Sequence, residues 1–171
     1  MFNIRRPGAG GETAPPSAKS DQKRQSYRAS IEFPIVYVVD GRAGTRTASA
    51  NDLSVGGLRL LGDEDFTKET TIDFRFTLPT AEVANVYIEK EITERTALGE
   101  RKRRTKTRPT PFEPLDIGGK IVIAFYNLNT KRFAHGVRFL NLSKRTEDEI
   151  QRFIHLYQLK QLRERAERGE N

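Results

Sequence analysis

Between residues 31 and 39 the apolar side chains fall on every second position, Ile31, Phe33, Ile35, Tyr37 and Val39, with a different set of residues between them. That is the period of a half-buried strand. Pro34 sets this strand at an edge or a bulge, because proline brings no N–H to a ladder. A turn follows around Gly41 to Gly44, and a second, more polar strand from Thr45 to Ala50 leads to Asn51 and Asp52. The segment Leu58-Arg59-Leu60-Leu61 reads as a third strand, and Ile72, Phe74, Phe76 and Leu78 alternate with Asp73, Arg75 and Thr77 as a fourth, ended by Pro79. Val86 to Thr93 reads as a fifth. Lys120 to Tyr126 pairs with Arg132 to Leu140 around Asn127-Leu128-Asn129-Thr130. Many short strands joined by tight turns predict an antiparallel barrel.

The pattern changes to a helical one near the end. A long helix is predicted from 144 or 145 to 168, with Ser143 as N-cap and Glu147, Asp148 and Glu149 in the first turn, where the positive helix end favours acids. Ile150, Phe153, Ile154 and Tyr157 form one stripe that closes an end of the barrel, and Leu156, Leu159 and Leu162 widen it.

Composition sharpens this picture in three places. The chain of 171 residues suits one domain with tails. It has no cysteine, so it holds no disulfide and no thiolate metal site, which fits a reducing cytoplasm. Its two histidines, His135 and His155, lack a spaced partner, and they read as a satisfied strand residue and a helix-face residue rather than metal ligands. No run approaches the ~18 apolar residues of a membrane span. Residues 1 to 21, rich in glycine, proline, alanine and serine, read as a disordered tail.

The net charge of +7 invites an anionic partner. Between Arg95 and Arg108 lie seven basic residues and one acid, Glu100, with few apolar residues, so a mobile loop is expected there. Pro109, Pro111 and Pro114 then force an extended exit. The loop holds no aromatic residue, which argues against single-strand stacking. No P-loop, nucleophile elbow or metal-ligand spacing is found, and an enzyme is not expected.

The most informative chemistry lies in two short runs. Arg24 and Arg28, in Lys23-Arg24-Gln25-Ser26-Tyr27-Arg28, are four residues apart and can grip a dianion, since each guanidinium offers a planar fork of donors and a flat face for stacking on a purine. Downstream, Asp52-Leu53-Ser54-Val55-Gly56-Gly57 supplies a carboxylate that can accept from guanine, a hydroxyl, and glycines that permit close backbone approach. Together they suggest a guanine-nucleotide receptor. The same arginine spacing recurs at Arg42 and Arg46 and at Arg104 and Arg108, but only Arg24 and Arg28 sit just before a strand and upstream of the Asp-x-Ser-x-x-Gly run.

Arg24-x-x-x-Arg28 followed by Asp52-x-Ser54-x-x-Gly57 resembles the two-part signature of PilZ domains, bacterial receptors for the second messenger cyclic di-GMP. The likeness runs from residue 22 to about 158, with a poorly matched stretch near 95 to 115, and includes His135 to Ser143 as the family's last strand entering its helix. It implies a mainly β fold: a six- to seven-stranded antiparallel PilZ-type barrel over 22–143 with a basic loop insertion at about 95–115, and a C-terminal helix over 144–168 packed on it. It assigns ligand contacts to Arg24, Arg28, Asp52, Ser54 and Gly57, Ser54 meeting base or phosphate and Gly57 giving the close approach. Lys23 has the charge to help a second, stacked ligand but lacks arginine's bidentate plane. Arg138 is in place to reach a guanine in some members, and equally reads as an exposed strand residue. The implied partners are cyclic di-GMP and a downstream protein in motility, adhesion or polysaccharide output, with no other cofactor, in a cytoplasmic monomer or homodimer. The competing readings are a basic barrel that binds nucleic acid and a PilZ-like adaptor without ligand.

Overall fold

The computed structural model describes residues 27–97 and 99–169. The expected tail at 1–21, and with it Lys23 and Arg24, lies outside the described residues. Six strands close into an antiparallel barrel in the order β1-β2-β3-β8-β7-β4. They are β1 Phe33–Val39, β2 Arg46–Ser54, β3 Gly57–Gly62, β4 Thr71–Thr77, β7 Pro114–Asn127 and β8 Arg132–Leu140. Closure leaves the barrel without an unpaired edge along most of its length. Pro34 sits where β1 has a neighbour on one side only, opposite Ser49 of β2, because pairing with β4 begins at Val36.

Alternation decides which face is inside. In β1 every odd-numbered residue from Phe33 to Val39 is buried and the residues between are exposed, and Ile72, Phe74 and Phe76 of β4 do the same. These side chains meet in one core with Leu53, Leu60, Ile121 and Val137. Fully burying each such side chain contributes about 1.5–3 kcal/mol.

Helix α1, Lys144–Glu167, closes the barrel. Ser143 caps it, its Oγ accepting from the Thr146 N–H at 3.1 Å. Ile150, Phe153, Ile154, Leu156 and Tyr157 are buried, whereas Leu162 remains 60% exposed and does not join the stripe. The proline-rich exit after 107 is pinned by Phe112, whose ring meets Phe153 edge-on at 5.5 Å and lies 4.3 Å beneath the Arg152 guanidinium.

The basic stretch departs from expectation. Among the described residues the stretch is paired rather than looped: β5 Ile88–Thr96 and β6 Gly99–Thr107 make a separate two-stranded ribbon. What replaces apolar pairing is charge. Lys102 meets Glu91 at 2.8 Å, Lys106 meets Glu89 at 3.6 Å and Arg95 meets Glu100 at 3.1 Å. The acids of β5 were legible in the sequence, but a count of apolar residues gives them no weight. Opposite charges across an antiparallel ladder favour pairing all the same.

His135 is a satisfied strand residue in part. It is wholly buried, and its Nε2 accepts the Phe66 N–H at 3.1 Å while Nδ1 finds no partner. The Asp65 carboxylate at 3.9 Å is too distant to displace that bond, so the ring is neutral. Burial holds its pKa below the ordinary histidine value. The folded pKa therefore lies under the unfolded one, ~6.5, and the stability this group lends is intact above that value and is lost as pH falls through the folded pKa. Urea titrations from pH 7 to pH 5 should show falling stability in the wild type and a shallower fall in His135→Gln, which can still accept from Phe66 but does not titrate. Equal slopes would remove His135 as the cause.

Candidate functional site

The site begins with an irregularity in β2. Its pairing with β3 shifts register between Asn51 and Ser54, and Asp52 takes a positive φ of 52° there. Such a bulge re-aims a side chain, and aspartate is among the residues that tolerate this conformation. β2 thus runs through the Asp-x-Ser motif instead of ending before it. The chain preceding β1 is bound to the same place: Ala29 N–H donates to Leu53 O at 2.8 Å and Leu53 N–H returns to Ala29 O at 3.0 Å. This bridge carries Arg28 to the motif.

Arg28, Asp52, Ser54, Gly57 and Arg138 all line one cleft, whose remaining walls include Leu58, Val122 and Val137. The two sequence runs, far apart in the chain, are therefore brought together as far as Arg28 allows a test. Arg28 and Arg138 are exposed. Neither makes an ion pair within the described residues. Asp52 is already engaged. Its Oδ1 accepts from Ser30 Oγ at 2.9 Å, and its Oδ2 lies 2.8 Å from Arg59 Nη2. The Ser54 hydroxyl is buried and donates to Gly57 O at 3.0 Å, which closes the β2–β3 turn and leaves only its lone pairs for anything else.

Gly57 has a structural reason of its own to be glycine. It pairs with Arg138 across β3 and β8, and a Cβ there would stand 1.9 Å from Val137 O. The close approach that requires glycine is to the neighbouring strand. Gly56 has open space around it, and its carbonyl accepts from Phe139 N–H at 3.0 Å.

Sequence reasoning missed Ser30, Arg59 and Val122. Arg59 was within reach, because counting back from a turn at Val55 and Gly56 sets it opposite Asp52, and the bulge then moves its register partner to Asn51. Behind the site, Tyr157 Oη donates to Ser30 O at 2.8 Å, so α1 touches the residue that holds Asp52. Burial raises the Tyr157 pKa and keeps that donor protonated. A larger cleft of about 410 Å³ lies between 110–116 and α1, but its arginines are already taken, Arg145 by Glu113 and Arg152 by Glu149.

Residues 22–89 match the family model described as PilZ domain, the family that the two motifs resemble. The matched stretch spans β1 to the start of β5 and includes every position of both motifs. No curated protein matches the chain in sequence. Among solved structures the chain is similar to the Bacillus subtilis inhibitor of motility (MotI/DgrA), at 11% identity and a TM-score of 0.55, covering 81% of this chain and 53% of that one. The chain thus spans about half the length of that protein, and the likeness is one of fold: a barrel with a C-terminal helix. Two further similarities have a TM-score of 0.46. One is to the PilZ domain of CeSA from a cellulose-synthesizing bacterium, at 14% identity over 76% of this chain and 96% of that one. The other is to the PilZ domain with c-di-GMP of YcgR from Escherichia coli, at 17% identity over 85% of this chain and 98% of that one. Among the described residues no helix is long and apolar enough to cross a membrane.

Proposed function

We propose that this protein is a cytoplasmic cyclic di-GMP receptor, not an enzyme, which passes ligand occupancy to a downstream protein in motility, adhesion or polysaccharide output. One observation supports the reading above others: Arg28, Asp52, Ser54, Gly57 and Arg138 line a single cleft. The ligand is a ring with two phosphates and two guanines, and the cleft offers donors and an acceptor for it. Arg28, with Arg24 and Lys23 before it, meets phosphate oxygens or the acceptor edge of a base. Asp52 accepts from guanine N1 and N2, a donor pair that adenine lacks. Arg138 approaches from β8, and Val122, 41% exposed, gives an apolar wall for a purine face.

The cleft measures about 250 Å³. Sites that enclose a small molecule run to about 300–1,000 Å³. The ligand therefore lies partly above the barrel, and the Arg24-x-x-x-Arg28 segment orders across it. Output follows from contacts around Asp52. A guanine that takes this carboxylate competes with Ser30 and Arg59, and Ser30 is the residue on which Tyr157 of α1 rests.

Calorimetry with the purified chain tests the reading. Saturable binding of cyclic di-GMP is expected, weakened about 10- to 150-fold in Arg28→Ala, the equivalent of ~1.5–3 kcal/mol for a charged hydrogen-bond donor. Binding unchanged by that substitution, or no binding at all, would remove the proposal.

A further inference from the structure

The β5–β6 ribbon is the largest feature that the nucleotide site does not use. Among the described residues its strands pair with each other and with no other strand, so the outer edge of each carries unpaired ladder groups at every second residue. A lone two-stranded ribbon is marginal in water. Its base is tied down, since Arg163 of α1 donates to Tyr87 O at 3.2 Å and Arg108 donates to the Tyr87 hydroxyl at 3.3 Å. Beyond that base the side chains of 89–95 and 99–104 are exposed.

Charge is divided unevenly over this ribbon. The face that carries Glu89, Glu91 and Arg95 neutralises itself through Lys106, Lys102 and Glu100. On the other face Ile92 stands opposite Arg103 and Glu94 opposite Arg101, with Lys90 beside them. Lys90, Arg101 and Arg103 make no ion pair within the described residues, and Arg104 on the first face is also unpaired. β6 thus carries five cations and one acid in nine residues, with one edge covered and one open. What covers it is instructive: β5 is a strand in which acids recur at Glu89, Glu91 and Glu94.

We propose that the open edge of β6 is a docking site for an acidic, extended polypeptide segment of a partner protein, which adds to the ribbon as a third strand. Backbone N–H and C=O groups supply the pairing, and alternate acidic side chains settle beside Arg101 and Arg103 on one face and Arg104 on the other. The same cations repel another copy of β6, since like charges directly opposite are destabilising, and so exclude edge-to-edge association of the protein with itself. β5 is the weaker edge for any charged strand, because Lys90 and Arg95 interrupt its acids.

The test uses the full chain and two labelled peptides of equal charge, one of Thr-Glu repeats and one of the same sequence with every backbone nitrogen methylated, the second being unable to donate backbone hydrogen bonds. Fluorescence anisotropy should show saturable binding of the Thr-Glu peptide, about tenfold or more weaker for the N-methylated peptide, with amide exchange slowed across 100–107. The double substitution Arg101→Gln and Arg103→Gln, which sets no acid opposite Glu94, should weaken the Thr-Glu peptide by at least about tenfold without lowering the melting temperature, since both residues are exposed. Equal affinity for both peptides would reduce the site to plain charge and overturn the proposal. So would failure of the Thr-Glu peptide to bind while anionic vesicles or a short DNA duplex do.

Discussion

Replacing Gly57 by alanine is expected to be the most damaging single-methyl change in the barrel. The added Cβ would stand 1.9 Å from Val137 O and 3.0 Å from its carbonyl carbon, both backbone atoms of β8. A side chain could swing away, but a backbone carbonyl held in a ladder cannot, so β3 and β8 must part where Gly57 pairs with Arg138. Overpacking of this kind costs ~1–3 kcal/mol where side chains can adjust and more where they cannot. A loss of ~3 kcal/mol or more is expected, a large share of the ~5–15 kcal/mol that holds a domain together. It should lower the melting temperature by roughly 10 °C. Gly56→Ala is the control. Nothing lies within 4 Å of its added Cβ, and a change within about 0.5 kcal/mol is expected. Parallel melting curves decide the matter: if the two variants melt together, the steric account of Gly57 fails. The result also bears on the motif, because ligand binding lost in Gly57→Ala must first be corrected for lost folding.

How much of this was legible from residues alone depended on what pairs with what. β1 and β4 could be read because one face is apolar and the other is not, and α1 because Ser143 and the acids after it mark a start that the buried stripe confirms. The β5–β6 ribbon could not be read by that rule. Its strands have almost no apolar contrast, and their information lies in Glu89, Glu91 and Glu100 standing opposite or diagonal to cations, a relation visible only once a register is assumed. In the site, Asp52 and Arg28 announced themselves by type and spacing. Ser30 and Val122 did not, because an exposed serine or valine is ordinary until the fold sets it beside a carboxylate or a cleft, and Arg59 emerges only by counting back from the turn. Leu162 marks the opposite error, an apolar residue in phase with a stripe that has already left the core.

On the proposed reading, Asp52→Ala should cost about 1–2 kcal/mol in stability, chiefly because alanine tolerates a φ of 52° less well than aspartate, and much more in affinity. Its carboxylate is held by Ser30 Oγ at 2.9 Å and Arg59 Nη2 at 2.8 Å. The Arg59 side chain is 41% exposed, so the pair is screened by solvent and contributes only ~0–1 kcal/mol to folding. Binding is another matter. Guanine offers N1 and N2 hydrogens to the two carboxylate oxygens, and each charged bond is worth ~1.5–3 kcal/mol, so a fall of ~100-fold or more is expected. Arg59→Ala separates this role from a merely structural one. If Asp52 works by meeting the base, removing its ligand-free partner should change affinity by less than about tenfold, because the carboxylate is still present and has lost a competitor. If Asp52 matters only because it fixes Arg59, both substitutions should weaken binding alike. Calorimetry of the two variants, run beside their melting curves, distinguishes the cases, and an Asp52→Ala protein that binds cyclic di-GMP as well as the wild type would remove guanine recognition from this carboxylate.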